Sequence, residues 1–349
     1  MAEEQIQADR IDLAALAAWM DLQGLGVGKP IENLTPLAGG TQNVMVKFDR
    51  EGRTFVYRRG PWSLRPRSNA QILQEMRVLG ALAGTDVPHP GLIAGCPEEG
   101  VVGDGVFYLM EPVDGFNPSV ELPPLHAGSA EVRHAMGISM VDAIAALGAV
   151  DYLAVGLDDV GHPEGFLERQ VPRWLSELDG YAKHEGYPGP DIPGLDDVAK
   201  WLEVNLPASA YQPGISHGDF HLSNVMFRYD SPDIAAIVDW EMSTIGDPLL
   251  DVGWLLATWP APGAFSIGGN LGDGLPTPDE LVKRYAERST RDLSAIAWYE
   301  VMACFKLGIV LEGTHARAFA GKAPKSIGDM LHASTLGLFA RAVQRIKES

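Results

Sequence analysis

S-H-G-D-F-H-L-S-N-V-M-F-R-Y-D-S-P-D-I-A-A-I-V-D-W-E-M-S-T-I-G-D-P-L-L-D, residues 216 to 251, is the stretch on which the reading of this chain turns. Two short apolar runs, Val225 to Phe227 and Ile234 to Val238, have His217, Asp219, His221, Asn224 and Asp239 at their edges. Both runs read as strands. Tyr229 to Asp233 between them carries the Asp, Ser and Pro chemistry of a turn, so a β-hairpin is expected. With that turn centred on Ser231 and Pro232, antiparallel counting sets Asn224 opposite Asp239. Opposed residues have Cβ atoms about 4.5–5.5 Å apart. A carboxamide and a carboxylate at that spacing can ligate Mg²⁺, which prefers oxygen and takes few protein ligands when phosphates supply others. Asp219 sits in the loop entering the hairpin and can face the same point without binding metal.

Around this stretch, 349 residues are many for one core, and two lobes are expected. No apolar run approaches the roughly 18 residues that span a bilayer. The acidic start Met1-Ala2-Glu3-Glu4 lacks the basic and apolar regions of a signal peptide, so a cytoplasmic location is expected. Cys96 and Cys304 lie outside any C-x-x-C pair and read as small core residues, not as a disulfide framework or zinc knuckle. The net charge of −19 argues against nucleic acid or an anionic membrane as partner and leans toward a cationic substrate. No feature fixes an oligomeric state.

On the N-terminal side, Ile11 to Leu22 has the spacing of a helix ending near Gly24. Residues 31–37, Val44 to Phe48 and Thr54 to Arg58 then form a meander of strands, its first turn being Gly39-Gly40-Thr41-Gln42-Asn43. Such a turn lets backbone N–H groups approach phosphate oxygens, with the Thr41 hydroxyl beside them. Ser68 to Leu82 reads as a helix bearing Glu75. Thr85 to Gly95, with Pro88 and Pro90, reads as a loop or extended connection. Val101-Val102 and Val106 to Met110 bracket Gly103-Asp104-Gly105 and are expected to form a hairpin. Pro112 suits an edge or linker, so the lobe boundary is set there, with residues 1–112 and 113–349 on its two sides.

Beyond the boundary the texture is helical: Val132 to Val150, Phe166 to Tyr181, Leu195 to Asn205, Pro248 to Trp259, Leu281 to Arg288, Ala295 to His315 and Ile327 to Ile346. Ala261 to Pro278 is Gly- and Pro-rich and reads as a long loop.

Strands, a Glu-bearing helix, a linker, then helices around H-G-D-F-H-L-S-N with a later I-V-D-W and G-D-P-L-L-D form an ordered set. From about Leu34 to Trp259 the chain resembles the aminoglycoside phosphotransferase/choline kinase-type family. Its branch resembles the kinase-like domains of acyl-CoA dehydrogenase family members. The resemblance implies an α+β, two-lobed protein-kinase-like fold with a small antiparallel-sheet N-lobe and a larger, mainly helical C-lobe. It implies that Asp219 is the catalytic Asp and that Asn224 and Asp239 hold Mg²⁺. Arg58 stands where the family has its ATP-binding lysine, and Glu75 matches the helix glutamate that pairs with it. An arginine can bind phosphate bidentately, while Arg59 points to the opposite face of the strand. Met110 would back the adenine, and the Glu111 carbonyl and Val113 N–H would bond its edge. His217 supports the loop, His221 packs or touches substrate, and Asp247 and Asp251 cap and brace the helix that follows them.

The function expected is transfer of the γ-phosphoryl group of ATP, or GTP, with Mg²⁺, to a hydroxyl of a small molecule. A hydroxy acid or hydroxyacyl metabolite ranks slightly ahead of an amino sugar or other cationic alcohol. With only seven residues between Asp239 and Asp247 there is no room for an activation loop, which disfavours a phosphorylation-regulated protein kinase. Two other readings stay open: a nucleotide-binding pseudokinase, motivated by Arg58, and a metal-dependent hydrolase using His217, Asp219 and His221.

Overall fold

The computed structural model describes residues 10–37, 43–207, 212–260, 265–268 and 271–349. The chain divides into two compact units: Met1–Gly115 with Leu153–Leu157 and Ala235–Ser243, and Phe116–Tyr152 with Asp158–Ile234 and Thr244–Ser349.

The first unit begins with α1 (Leu13–Leu22), whose N-cap Asp12 accepts the Ala15 amide at 2.9 Å. Strands β1 (Glu32–Pro36), β2 (Val44–Arg50), β3 (Arg53–Arg59), β4 (Leu92–Cys96) and β5 (Phe107–Met110) build one antiparallel sheet in the order β1-β2-β3-β5-β4. Side chains alternate across a strand. Val44, Val46 and Phe48 of β2 therefore share a face with Phe55, Tyr57, Phe107 and Leu109, and α1 buries that face with Leu16, Trp19 and Met20. Burying each such side chain contributes about 1.5–3 kcal/mol. Glu51 and Gly52 both take positive φ, 52° and 72°, and Arg50 pairs with Arg53. That is the two-residue primed turn whose twist suits a tight hairpin. Buried Arg50 fastens α1 to the sheet through Asp21 (2.5 Å) and the Ala17 carbonyl (3.0 Å). The other sheet face carries Arg58 and its register partner Tyr108, and α2 (Ser68–Leu82) supplies Glu75 to meet them.

One expectation fails here. Val101 and Val102 form no strand. β5 pairs instead with β4, inside and just beyond the segment expected as a loop or extended connection. The Gly100 amide bonds the Gly103 carbonyl, and Asp104 is drawn to Arg59 at 3.0 Å. The Asp-Gly pair thus partners a buried charge and makes no hairpin.

In the second unit α3 (Ala130–Ala149), capped by Ser129, precedes α4 (Gln170–Asp179) and α5 (Leu195–Val204). Strand β6 (Gly214–Ser216) leads into the 217–224 loop and β7 (Val225–Phe227), and β9 (Thr244–Gly246) pairs with β6, while β8 (Ile234–Ile237) belongs from Ala235 onward to the first unit. The Arg228 amide donates to the Asp233 carbonyl at 3.0 Å. The turn is therefore centred on Asp230 and Ser231, one residue earlier than counted, and the direct opposition of Asn224 and Asp239 does not follow from it.

Helices α6 (Leu249–Thr258), α7 (Pro278–Arg288), α8 (Ile296–Phe319) and α9 (Lys325–Glu348) complete the unit. Thr277 and Glu280 form a capping box on α7, a device whose Thr cap contributes about 1 kcal/mol. α8 and α9 run antiparallel, with Phe305 against Phe339 and Glu300 paired with Arg341 and Arg345. Among the described residues no helix is long and apolar enough to cross a membrane.

Candidate active site

In the first unit Arg58 donates through Nε and Nη2 to the two oxygens of Glu75 at 2.7 and 3.0 Å, and Nη2 also reaches Asp239 Oδ1 at 2.9 Å. The Tyr108 hydroxyl donates to Glu75 at 2.8 Å. Burial alone would weaken the hold of Arg58 on its proton, but Glu75, with Tyr108 and Asp239, keeps it firmly cationic. Burial and the Glu75 charge push the Tyr108 hydroxyl well up, so it stays a neutral donor. Arg59 turns to the other face, toward Asp104 and over the Trp62 ring at 4.0 Å.

Asp239 adopts a left-handed conformation, φ 69°, uncommon outside glycine and tolerated best by Asp and Asn. Glu241, on the short turn that Asp239 opens, was not singled out by the sequence. Burial and then the charges of Asp239 and Glu75 raise its carboxyl above the usual range. Glu75, Asp239 and Glu241 each bring one ligand atom within 4.8 Å of the others, an all-oxygen set of the kind Mg²⁺ accepts.

Met110 ends β5 and is half-buried. The Glu111 amide bonds the Gly91 carbonyl at 2.8 Å, its exposed carboxylate approaches Arg53 at 3.4 Å, and Val113 follows half-buried. Thr41 lies outside the described residues. A cavity of ≈ 410 Å³ in this unit is lined by Asn43, Arg65, Arg67, Ser68, Gln71 and Glu241, at the start of α2.

In the second unit the 217–224 loop is held from both sides. Gly218 takes φ 84°, which a side chain would resist, and so turns its amide and carbonyl toward opposite partners. The amide, with the His217 amide and Ser216 hydroxyl, donates to Asp251 at 2.8, 2.7 and 2.9 Å. The carbonyl accepts from Lys306 Nζ at 2.8 Å. Asp251, expected to brace its own helix, instead braces this loop, while Asp247 accepts the Leu249 amide and the Tyr299 hydroxyl.

Asp219 is ringed by donors. Asn224 Nδ2 donates to its carbonyl and carboxylate at 2.9 and 3.0 Å, and His221 Nε2 stands 3.3 Å from Oδ1. Burial would raise the Asp219 carboxyl, but the bond and charge of His221, with His217 and Lys306, hold it well below the usual range. Burial pushes the Lys306 ammonium down to about 8, against the pull of Asp219 and Asp251. His217 Nδ1 accepts the Asp219 amide at 3.3 Å, a supporting role. Among the described residues, two groups bring three metal-ligand atoms together, and His217, Asp219 and His221 are not one of them. The hydrolase reading loses its basis.

The structure thus gathers Arg58, Glu75 and Asp239 in one unit and Asp219 and Asn224 in the other. Glu241 and Lys306 were missed, and Asp251 was given a different role. Asp251 had a signal, the second acid of G-D-P-L-L-D, but Lys306 lies in the apolar stretch Val301 to Leu311 of α8, outside any motif, and carried none.

The model of the "Phosphotransferase enzyme family" matches residues 33–298. Acyl-CoA dehydrogenase family member 11 of Rattus norvegicus is 29% identical over 330 residues, covering 91% of this chain and 41% of that protein. The chain therefore spans less than half the length of this curated relative. A solved structure of a putative aminoglycoside phosphotransferase from Ralstonia eutropha is 31% identical, with TM-score 0.78, covering 96% of this chain and 99% of its own. The aminoglycoside phosphotransferase APH(4)-Ia, solved with AMP-PNP and hygromycin B, shares 15% identity and a TM-score of 0.58 over 91% of this chain and 96% of its own. The two-lobed, protein-kinase-like α+β fold expected from the sequence is the fold found.

Proposed function

We propose, from the premise that this chain belongs to the phosphotransferase enzyme family, that it transfers the γ-phosphoryl group of ATP to a hydroxyl of a small molecule by in-line displacement. The observation that carries this reading is the setting of Asp219, an ionised carboxylate encircled by Asn224, His221 and the Lys306-braced loop. Its low basicity suits accepting a hydrogen bond from the acceptor hydroxyl and orienting it. A loose transition state needs little prior removal of that proton.

Arg58 would take the phosphate-binding place of a lysine, positioned by Glu75, whose carboxylate also accepts the Tyr108 hydroxyl. Asp239 and Asn224 would hold Mg²⁺, with Glu241 as a third oxygen source. Bound there, the ion supplies charge neutralisation on the β- and γ-phosphates. Met110, Glu111 and Val113 would receive the base, and Thr41 a phosphate. AMP-PNP in the APH(4)-Ia complex supports an adenine nucleotide; GTP would engage the same backbone edge. The likeness to acyl-CoA dehydrogenase family member 11 supports a hydroxy acid or hydroxyacyl acceptor. Arg65 and Arg67 on the cavity wall also favour an anionic group. The aminoglycoside neighbours keep amino sugars as the competing class.

The second reading, nucleotide binding without turnover, is favoured by one contact: Arg58 already engages Asp239, the residue proposed for metal. One experiment separates the two. The protein is incubated with Mg²⁺-ATP and a panel of hydroxy acids, hydroxyacyl thioesters and amino sugars, and ADP is followed. Acceptor-dependent ADP that vanishes in Asp219→Ala and Asp239→Ala supports the kinase. Nucleotide binding with no ADP above background for any acceptor supports the pseudokinase.

A further inference from the structure

Helices α8 and α9 carry the same four-residue pattern, an acid followed three positions later by a histidine: Glu312 with His315, and Asp329 with His332. Residues three apart share a helix face. Each helix therefore presents an acid beside an imidazole, and the antiparallel packing sets the two pairs against one another. Glu312, His315 and His332 each offer a ligand atom within 4.8 Å of the other two. None of them serves the phosphoryl-transfer reading.

The surroundings are those of a built site. Glu312 is fully buried, with one carboxylate oxygen accepting the Tyr187 hydroxyl at 2.7 Å and the other 2.7 Å from His332 Nδ1. His315 Nδ1 is buried and has no hydrogen-bond partner among the described residues; Asp329 Oδ1 lies 3.7 Å away. The rings of Tyr187 and Phe319 stand edge-on to His315, 6.3 and 5.0 Å between centroids. Where α9 passes His315 it has Gly328, and a Cβ there would meet Ala318 Cβ at 2.6 Å and His315 Cα at 3.3 Å. The close crossing that brings the imidazoles together thus depends on that glycine.

We propose that Glu312, His315 and His332 bind one divalent transition-metal ion, Zn²⁺ foremost. Two imidazoles and one carboxylate form a ligand set Zn²⁺ takes, with a fourth position left for water or Asp329, whereas Mg²⁺ and Ca²⁺ prefer oxygen throughout. Tyr187 orients the ligating carboxylate from behind, the outer hydrogen bond that metal sites use to fix a ligand. The two rings stack at 4.4 Å with planes 19° apart. Their in-plane lone pairs therefore lie in nearly parallel planes, and one ring must turn about its Cβ–Cγ bond for both to meet a single ion. His332, whose side chain is 23% exposed against 12% for His315, has the room to do so.

The test uses the untagged, metal-stripped full chain in an Asp239→Asn background, which weakens the carboxylate set proposed for Mg²⁺. It is titrated with Co²⁺ and then Zn²⁺, following visible absorption and heat. The expected result is one equivalent of Co²⁺ with the intense bands of a four-coordinate N/O site, displaced by Zn²⁺. His315→Gln and His332→Gln should each weaken binding by about 100-fold, a ligand mattering at least as much as an outer partner. No saturable Co²⁺ or Zn²⁺ binding, or binding unchanged in both histidine variants, would overturn the proposal. Should those variants fail to fold, thermal melts of the parent chain decide: stabilisation by stoichiometric Zn²⁺ but not Mg²⁺ supports the site, and its absence removes it.

Discussion

Lys306 is the residue whose chemistry is most exposed to measurement. Its ammonium bonds the Gly218 carbonyl and lies 4.2 Å from the Trp254 ring centroid, and burial brings its titration down to about 8. Raising the pH through 8 should remove the charge with which Lys306 holds the Gly218 carbonyl and so loosen the loop that carries Asp219, which stays ionised throughout; kcat is expected to fall on a basic limb near 8. Between about 8 and the ordinary 10.5 the unfolded chain keeps a proton that the folded chain has released. Stability from this group therefore rises with pH across that window, and the limb cannot be unfolding by the same group. Lys306→Met should lower the plateau and abolish the limb; a pH profile with an unchanged limb in that variant refutes the assignment. A second residue test concerns Glu75. Removing one partner of a buried ion pair costs about 3–5 kcal/mol because the other charge is stranded, so Glu75→Ala should destabilise on that scale by urea melts, and Glu75→Gln by less. Asp219, Asn224 and Asp239 could be singled out from the sequence because they stand in the short motifs H-G-D-F-H-L-S-N and I-V-D-W that carry the family resemblance. Lys306 could not, since its contact joins positions 88 apart, and Arg58 was singled out only because the resemblance sets it where the family has a lysine.

At the scale of elements, the long helices and the β2–β3 turn were legible, while the other turns and the short strands were not. α2 runs from Ser68 to Leu82 as its apolar spacing predicts, and the β2–β3 hairpin closes on Glu51-Gly52. β4 escaped because Pro88 and Pro90 mask its start and because Asp104-Gly105, which looks like hairpin chemistry, answers to Arg59. β6 and β9 are three residues each, too short for periodicity to register, yet they carry the loop that presents Asp219. What fixes that loop is α6: Asp251, in the first turn of the helix, collects three donors from residues 216 to 218. Asp251→Ala leaves two backbone amides and a hydroxyl unmet, each costing about 1–3 kcal/mol when buried. A loss of about 3–5 kcal/mol in urea unfolding with an unchanged m-value is expected. Asp251→Asn, which can keep part of the set, should lose kcat before it loses stability. Equal stability in wild type and Asp251→Ala would mean that water or a shifted loop satisfies those donors.

At the scale of the whole molecule, the charge of −19 bears on the question the site leaves open, the charge of the acceptor. Like charges slow encounter and opposite charges speed it, and salt screens both, with a Debye length of about 30 Å at 0.01 M and about 8 Å at 0.15 M. With Mg²⁺-nucleotide saturating, kcat/KM for the acceptor is the quantity that feels this field. A hydroxy acid or hydroxyacyl thioester, the acceptor class proposed above, would approach against the overall potential and would meet the Arg65 and Arg67 wall only at close range. Its kcat/KM should rise as ionic strength goes from about 0.01 to 0.15 M, while kcat stays flat. An amino sugar would show the reverse slope. Measuring both classes in one salt series, with sucrose added to control viscosity, separates field from diffusion. A falling slope for the best hydroxy-acid acceptor would mean that the local basic wall outweighs the molecule's net charge, and Arg65→Ala with Arg67→Ala should then flatten it.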